Sequence, residues 1–354
     1  MPLRGRTDEL QIRASRLAAQ GLTAPLSTVA EVARRLLGLQ GQDLTQVRWA
    51  LGARMRAPSL AAVDEAFASG ELVRTWSLRG TLHVMPAEDA GWVVRLLGPR
   101  NLARGAGRLR QLGVTEADVR AVRSIAERVL RDGPRSRAEL FARFEAAGQA
   151  TATQRGIHLL FCLSQAGVLV QAGEDFVLPE GRGPRPRVLD GDDALAALAT
   201  RYLEGHGPAT AEDLAFWSGL TLGEARRAMG LASIPRESAG AVPPVLLLAG
   251  FDEYLLGYTE RSAVISPAHF ERVCPGSNGV FRPMLVLDGV IRGTWRRERS
   301  RTGSTVELTP FARVPPGARA AVSAVAERYA RFLDEPVAVR WGNVAAKGQR
   351  SPEA

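Results

Sequence analysis

Two uncharged amide side chains, Gln40 and Gln42, stand on either side of a glycine in the segment 36–44, which reads LLGLQGQDL. The apolar residues before them repeat at helical spacing, which predicts a helix from Val29 to Leu39 with the amides at or just past its C-terminal turn. Two neutral amides at such a position could hold a water molecule or a sugar without carrying charge. The same spacing fits ordinary solvent-facing residues of a helix end and loop, and it does not separate the two interpretations.

Three further segments combine polar side chains with apolar runs: 74–85 (RTWSLRGTLHVM), 251–258 (FDEYLLGY) and 288–297 (DGVIRGTWRR). Together with the amide pair, they resemble the AlkZ-like family of bacterial DNA glycosylases, whose members are also described as winged helix DNA-binding proteins. The resemblance runs from the first amphipathic helix to Trp341, in the same order and at similar separations. It implies an enzyme that acts on double-stranded DNA through a concave, basic cleft between winged helices.

The resemblance also implies that Gln40 and Gln42 match the family's catalytic Gln-hydrophobic-Gln motif. Similar members remove N7-alkylguanine or unhook N7-linked interstrand crosslinks, so alkylated or crosslinked purines are the expected substrates. Alkylation at N7 already makes the base a cationic leaving group, and neutral amides suffice to position a water and stabilise charge on the sugar. A carboxylate general base would be expected for a neutral base. The middle residue here is Gly41, a departure that we expect to loosen the geometry of the pair.

The charge balance favours a polyanionic partner. The net charge is +9 with a pI near 10.7, and Lys347 is the only lysine among 46 basic residues. Arginine binds phosphate through two parallel hydrogen bonds, and counterion release strengthens binding to DNA. A Walker A motif needs a lysine after its glycines, and a lyase-type glycosylase uses an amine to form a Schiff base. Neither chemistry is expected here, so a base-excising enzyme of this sequence would be monofunctional.

The remaining composition predicts a cytoplasmic protein of the nucleoid. The two cysteines, Cys162 and Cys274, lie far apart and predict unpaired thiols in a reducing compartment. The four histidines are scattered without the spacing of a zinc site or of a histidine-carboxylate triad, so no metal and no cofactor are expected. We recognise no export signal and no apolar run of about eighteen residues, so no contact with a membrane is expected.

A length of 354 residues suggests two or three domains. Three groups of predicted helices, the last two sharing a Gly-Pro stop and a capping-box start, indicate duplicated winged helix units. We therefore predict an α+β fold with three tandem winged helix motifs followed by a β-rich C-terminal domain. The predicted parts are a first unit at 1–97, an arginine-rich connector at 98–117, a second unit at 118–180, a third unit at 190–237, the C-terminal domain at 245–345 and a disordered tail at 346–354.

Candidate DNA contacts lie in two places. The segment 72–85 predicts the wing hairpin of the first unit, and within it Arg79 and His83 are expected to touch the duplex while the apolar side chains alternate into the core. His83 also fits a buried structural histidine. The connector carries four arginines whose spacing fits either a solvated face or a track along the phosphate backbone: Arg100, Arg104, Arg108 and Arg110.

For a second set of residues, the sequence allows either a role in the site or a structural role. Asp43 follows the amide pair and could stabilise charge, but it also fits the N-cap of a helix that begins near Leu44. The others fit either a role in the DNA site or hydrogen bonds and ion pairs between domains: Asp252, Glu253, Tyr254, Arg261 and Arg296.

A winged helix regulator or nucleoid-associated protein that binds DNA without breaking it is the alternative function. Three units without a sensor domain or a coiled coil favour an enzyme that acts as a monomer. Loss of Gln40 and Gln42 would separate the two functions, because a regulator would tolerate it and a glycosylase would bind DNA but stop releasing base.

Overall fold

A computed structural model describes residues 6–181, 183–233 and 239–343, and it has the predicted α+β class. The predicted tail at 346–354 lies outside the described residues, as do 234–237 of the predicted third unit and 344–345 of the C-terminal domain. In the ranges described, no helix combines the length and apolar character needed to cross a bilayer.

The first helical group has the predicted order of three helices and a hairpin, and one helix precedes it. The elements are α1 (Arg6–Ala19), α2 (Val29–Leu36), β1 (Leu39–Gln40), α3 (Leu44–Gly52), α4 (Leu60–Ala68), β2 (Leu72–Trp76) and β3 (Leu82–Pro86). The β2–β3 hairpin turns at Arg79 and Gly80, which both have positive φ angles (55° and 73°). The hairpin predicted at 72–85 is therefore confirmed.

The end of α2 differs from the sequence prediction. The helix stops at Leu36 rather than Leu39, because Leu37 adopts a φ of 59° and turns the chain out of the helix. Gly38 then passes so close to the hairpin that a Cβ atom there would lie 2.9 Å from Cδ1 of Leu78. The chain continues as β1, in which Gln40 pairs with His83 of β3. Gln40 thus belongs to a strand and not to a helical turn.

The predicted connector at 98–117 is wrong as a separate element. Residues 98–111 continue α5 (Ala87–Gln111), a single helix of 25 residues with Pro99 inside it, and residues 116–117 begin the next helix. Gly98, which suggested a loop, lies where α5 crosses another helix, and a Cβ atom there would stand 3.0 Å from the carbonyl oxygen of Gln165. The glycine therefore permits helix packing instead of ending the helix.

The second and third groups follow the predicted helices. The second consists of α6 (Glu116–Arg131), α7 (Arg137–Ala146), α8 (Arg155–Gln165), β4 (Val170–Ala172) and β5 (Asp175–Val177), and the third of α9 (Gly191–His206), α10 (Ala211–Ser218) and α11 (Leu222–Leu231). After α11, the described residues 232–233 and 239–244 contain no strand. The hairpins of the first two groups join through Arg74 and Gln171 into one five-stranded sheet in the order β1-β3-β2-β4-β5, which leaves β1 at its edge.

The C-terminal part is β-rich, as predicted. Its elements are β6 (Val245–Leu248), α12 (Glu253–Leu256), α13 (Pro267–Val273), β7 (Met284–Leu287), β8 (Val290–Ser300), β9 (Gly303–Pro310), α14 (Pro316–Leu333) and β10 (Val337–Trp341). Asp288 and Gly289 form the β7–β8 turn with positive φ angles (49° and 75°), which confirms the predicted hairpin. The sheet order is β10-β9-β8-β7-β6, with only the β10–β9 pair parallel.

This sheet packs directly on the first helical group. Trp49 of α3 donates its indole N–H to the carbonyl of Leu247 at 2.8 Å, and its ring meets Tyr329 of α14 edge-on at 4.7 Å. Apolar side chains of α2, α3, α4, both sheets and α14 form one continuous core. The packing brings the segment after β6 beneath β1, where the amide pair lies.

Candidate active site at the edge of the hairpin sheet

The two amides lie at the edge of the five-stranded sheet, one at the end of β1 and the other two residues further along the chain. Gln40 is half-buried and Gln42 is exposed. Oε1 of Gln40 accepts a hydrogen bond from Nη2 of Arg79 at 3.3 Å. Nε of Arg74 donates to the carbonyl of Gly41 at 2.7 Å, so the guanidinium of β2 fixes the backbone between the amides. Sequence analysis had not identified Arg74 as part of the site.

Gly41 does not loosen the pair, contrary to expectation. Its N–H donates to the carbonyl of Leu82 at 2.8 Å, and the residue is buried. A Cβ atom at this position would lie 3.2 Å from Cγ2 and 3.3 Å from the backbone nitrogen of Val84. The absence of a side chain therefore lets the motif lie tightly against β3.

Arg79 and Arg261 meet at one aromatic ring beside Gln40. Their guanidinium carbons lie 4.9 and 5.2 Å from the ring centre of Phe216, whose side chain is 38% exposed. Arg79 donates to the carbonyl of Phe216 at 3.3 Å, and Arg261 donates to the carbonyl of Leu255 at 2.9 Å. Burial lowers the pKa of both guanidiniums, and the charge of Arg79 lowers the pKa of Arg261 further. Two neighbouring guanidiniums repel each other when their hydrogen bonds go to neutral oxygens, and a phosphate would compensate both charges. The exposed ring between them offers a face on which a base can stack.

The carboxylate of Glu253, whose role the sequence leaves open between the site and domain contacts, is buried and lies under the strand. Oε1 of Glu253 accepts the backbone N–H of Gln40 at 3.1 Å. Its Oε2 accepts the indole N–H of Trp217 at 2.9 Å and lies 3.3 Å from Nε2 of His206. Burial alone would raise the pKa of Glu253, but the hydrogen bond and charge of His206, with the charge of Arg79, lower it overall.

His83 lies inside the protein and cannot touch the duplex as expected. It is the buried structural histidine of the alternative interpretation. The side chain is 0% exposed, and its Nδ1 lies 3.0 Å from the carbonyl of Thr81. Its Nε2 has no hydrogen-bond partner among the described residues. Burial, and then the charge of Arg79, lower the pKa of His83 to about 4. The imidazole is therefore neutral at physiological pH and helps to form the floor beneath Gln40.

The four arginines predicted on the connector lie along α5 in different settings. Nη2 of Arg100 pairs with Glu224 of α11 at 2.5 Å, which ties two helices together. A Cβ atom added to Gly219 would lie 2.7 Å from Nη1 of Arg104 and 3.3 Å from Cα of Arg79, so Arg104 borders the site. The remaining two arginines, Arg108 and Arg110, are exposed near the end of the helix, and Arg108 donates to Gln154 at 3.0 Å.

Two of the residues left open have clear structural roles near the amide pair. Asp43 caps α3 by accepting the N–H groups of Thr45 and Gln46 at 2.8 and 3.1 Å, as its alternative interpretation had it. Asp252 forms a bidentate ion pair with Arg54 at 2.8 and 3.0 Å, and both side chains are 0% exposed. This pair joins the chain just after α3 to the segment after β6 and so fixes the position of the neighbouring Glu253.

Two further residues of the open set, Tyr254 and Arg296, stabilise the C-terminal part. The hydroxyl of Tyr254 donates to the carbonyl of Gly289 at 2.7 Å inside the core, and burial raises its pKa well above the usual value. Arg296 is exposed and pairs with Glu298 and Glu307, each at 2.7 Å. Among the described residues, the side chains of Tyr254 and Arg296 form no hydrogen bond or ion pair with the amide pair or with Arg79.

Two cavities of about 250 and 170 Å³ lie elsewhere, around His269 and Arg292. Neither is lined by Gln40 or Gln42. Across the residues that the structure describes, no group of three or more histidine, cysteine, aspartate or glutamate side chains is arranged to hold a metal ion.

Known proteins are similar to this chain over most of its length. The family model named DNA glycosylase AlkZ-like matches residues 33–332. The interstrand DNA cross-link repair glycosylase of Streptomyces sahachiroi is 28% identical over 309 residues, which cover 76% of this chain and 82% of the relative. The solved structure of Streptomyces sahachiroi DNA glycosylase AlkZ superposes with a TM-score of 0.74 at 26% identity, covering 94% of this chain and 99% of that one. The chain therefore belongs to the DNA glycosylase AlkZ-like family.

Proposed function

We propose that this DNA glycosylase is monofunctional and hydrolyses the N-glycosidic bond of N7-alkylated purines, with Gln40 and Gln42 positioning the attacking water. The observation that carries the proposal is the setting of the pair. Gln40 is held at its backbone by Glu253 and at its side chain by Arg79, next to the exposed amide of Gln42. Held amides can orient a water without any change of protonation.

The chemistry of the leaving group explains why amides suffice. An N7-alkylated purine departs as a neutral base from a cationic substrate, so the enzyme needs no strong acid, and positive charge develops on the sugar in the transition state. The nearby carboxylate of Asp43 is occupied as a helix cap, and that of Glu253 is buried. The sole lysine, Lys347, lies outside the described residues, and a Schiff-base lyase mechanism has no amine in the described part of the chain.

The exposure of Gln42 supports a substrate range that includes interstrand crosslinks. A base tied to both strands cannot rotate out of the helix into a deep pocket as a free base can. A catalytic side chain at the protein surface can reach such a base where it stands. The Streptomyces sahachiroi relative is named as a cross-link repair glycosylase, and we extend that substrate class to this chain as part of the proposal.

For DNA binding we propose Arg79, Arg104 and Arg261 as phosphate contacts, with Arg108 and Arg110 continuing the positive face along α5. Among the residues that the structure describes, no carboxylate forms a hydrogen bond with Arg79 or Arg261, so phosphate would complete their coordination. Arg79→Gln should weaken binding and reduce the slope of log K against log salt by about one. Arg296→Gln, on the far sheet, is the matched control, and an unchanged slope in Arg79→Gln would remove Arg79 from the contacts.

Base release from two duplexes tests the proposed chemistry. One duplex carries N7-methylguanine and the other an N7-linked interstrand crosslink, and single-turnover release and unhooking are compared between the wild type and Gln40→Ala/Gln42→Ala. Gln11→Ala removes an exposed amide on α1 and serves as the control. We expect release that disappears in the double variant while DNA binding persists. Equal release from the wild type and the double variant would refute the catalytic role of the pair, and no release by the wild type would refute the substrate class.

A further inference from the structure

The buried carboxylate of Glu253 replaces a neighbouring strand at the edge of the hairpin sheet. β1 is the edge strand, and Gln40 pairs with His83 on its inner side. The N–H of Gln40 points outward and donates to Glu253 at 3.1 Å. A buried N–H without a partner would be costly, so some acceptor is needed here. A neutral carbonyl would satisfy the N–H, but the protein uses a charged group.

Three donors converge on this one side chain, which is 2% exposed. They are the N–H of Gln40, the indole N–H of Trp217 and Nε2 of His206, at 3.1, 2.9 and 3.3 Å. A carboxylate has enough lone pairs to accept from all three, whereas a carboxamide presents one acceptor and one donor. The burial of such a charge is expensive unless several hydrogen bonds offset it, as they do here.

The charge of Glu253 also balances that of Arg79. Arg79 binds Oε1 of Gln40, and its charge and that of Glu253 act on each other's pKa. An N7-alkylated purine is cationic, and its positive charge moves to the sugar as the bond breaks and the base leaves neutral. An uncompensated Arg79 beside the amide would oppose both. A buried anion under Gln40 offsets that repulsion without offering a base to solvent.

We propose that Glu253 is a positioning residue for the glycosylase reaction. It anchors the backbone of Gln40 from below while Arg79 holds its side chain, and its negative charge keeps the surroundings of the amide favourable for a cationic transition state. This inference rests on the proposed function, since it assigns Glu253 a role in the step that Gln40 performs.

The test compares Glu253→Gln with Trp217→Phe. Trp217→Phe disturbs the same buried cluster and removes one donor, but it keeps both the charge and the contact with Gln40. Single-turnover release of N7-methylguanine and the Kd for the same duplex are measured separately. We expect the release rate of Glu253→Gln to fall about 100-fold, the loss typical of a catalytic group displaced by roughly 1 Å, with Kd within about threefold of the wild type. Trp217→Phe should retain the rate within a few-fold.

Amide hydrogen exchange in the segment 38–42 provides a readout that does not depend on activity. We expect exchange at Gln40 to accelerate in Glu253→Gln and not in Trp217→Phe. Equal loss of rate in both variants, or a wild-type rate in Glu253→Gln, would overturn the assignment. If Glu253→Gln does not fold, Glu253→Asp retains the charge but retracts it by one methylene, and a wild-type rate there would overturn the anchoring. Failure of the wild type to release N7-methylguanine would refute the proposed substrate, while the exchange data would still report on the anchor.

Discussion

Replacement of Gly41 by alanine tests whether the glycine between the two amides is required by close packing. The added Cβ would stand 3.2 Å from Cγ2 and 3.3 Å from the nitrogen of Val84, which is 0% exposed. Such contacts require a shift of a few tenths of an ångström in a packed strand pair, and overpacking of this kind costs about 1–3 kcal/mol. Alanine also restricts the unfolded chain, which contributes about 0.4–1 kcal/mol in the opposite direction. The net expectation is a destabilisation of roughly 0.5–2 kcal/mol, with slower base release because Gln40 and Gln42 flank the displaced residue.

Val84→Ala supplies the matched background. It removes the γ-methyl groups of Val84 and with them the contact between Cγ2 and the added Cβ, which is the contact that a side-chain substitution can relieve. In that background Gly41→Ala should stabilise the protein by about 0.4–1 kcal/mol, so the sign of its effect reverses. Urea unfolding of the four proteins measures the cycle, and the m-value checks that all unfold in the same way. An effect of Gly41→Ala that is the same in both backgrounds would refute the packing explanation.

Three further predictions concern stability. Asp252→Ala should lower the free energy of unfolding by about 3–5 kcal/mol, because it leaves Arg54 buried and uncompensated. In urea unfolding, Asp252→Leu combined with Arg54→Met should recover most of that loss, and a loss below about 1 kcal/mol in Asp252→Ala would contradict the buried ion pair. The pKa of His83 is about 4 in the folded protein, below the ordinary 6.5, so the unfolded state binds the proton first and stability falls as pH drops from 6.5 towards 4. About 2 kcal/mol of unfolding free energy should be lost between pH 7 and pH 5, and His83→Gln should remove that part of the dependence of stability on pH. Arg296→Ala should change stability by less than about 1 kcal/mol, because its ion pair with Glu307 is at the surface, and a larger loss would show that the pair is more than a solvated contact.

The helices and hairpins could be predicted from the sequence because their signals are local. The capping box that begins α7 and the Asp288-Gly289 turn both depend on residues within a few positions of one another. The misread elements are those in which a distant contact overrides the local signal. Gly98 and Pro99 suggested a break in α5, but the helix continues because Gly98 packs against Gln165.

Part of the site was visible for the same reason and part was not. Gln40 and Gln42 stand close together in the sequence, and Arg79 marks a turn. Glu253 is 213 residues from Gln40, and no local pattern predicts that its carboxylate would take the place of a strand. Its neighbours in the sequence resemble an ordinary buried helix start, which α12 also is.

The candidate site is therefore a product of how the parts of the chain dock, and no single predicted unit contains all of its residues. The first group supplies Gln40 and Arg79, the third supplies Phe216, and the C-terminal part supplies Glu253. The Arg54–Asp252 ion pair and the contact of Trp49 with Leu247 hold the C-terminal part on α3, and α3 begins two residues after the motif's second amide. Any change that weakens this docking must move the buried carboxylate relative to Gln40, because the hydrogen bond between them crosses the same interface. Stability of the interface and the geometry of the amide pair are thus coupled in this fold.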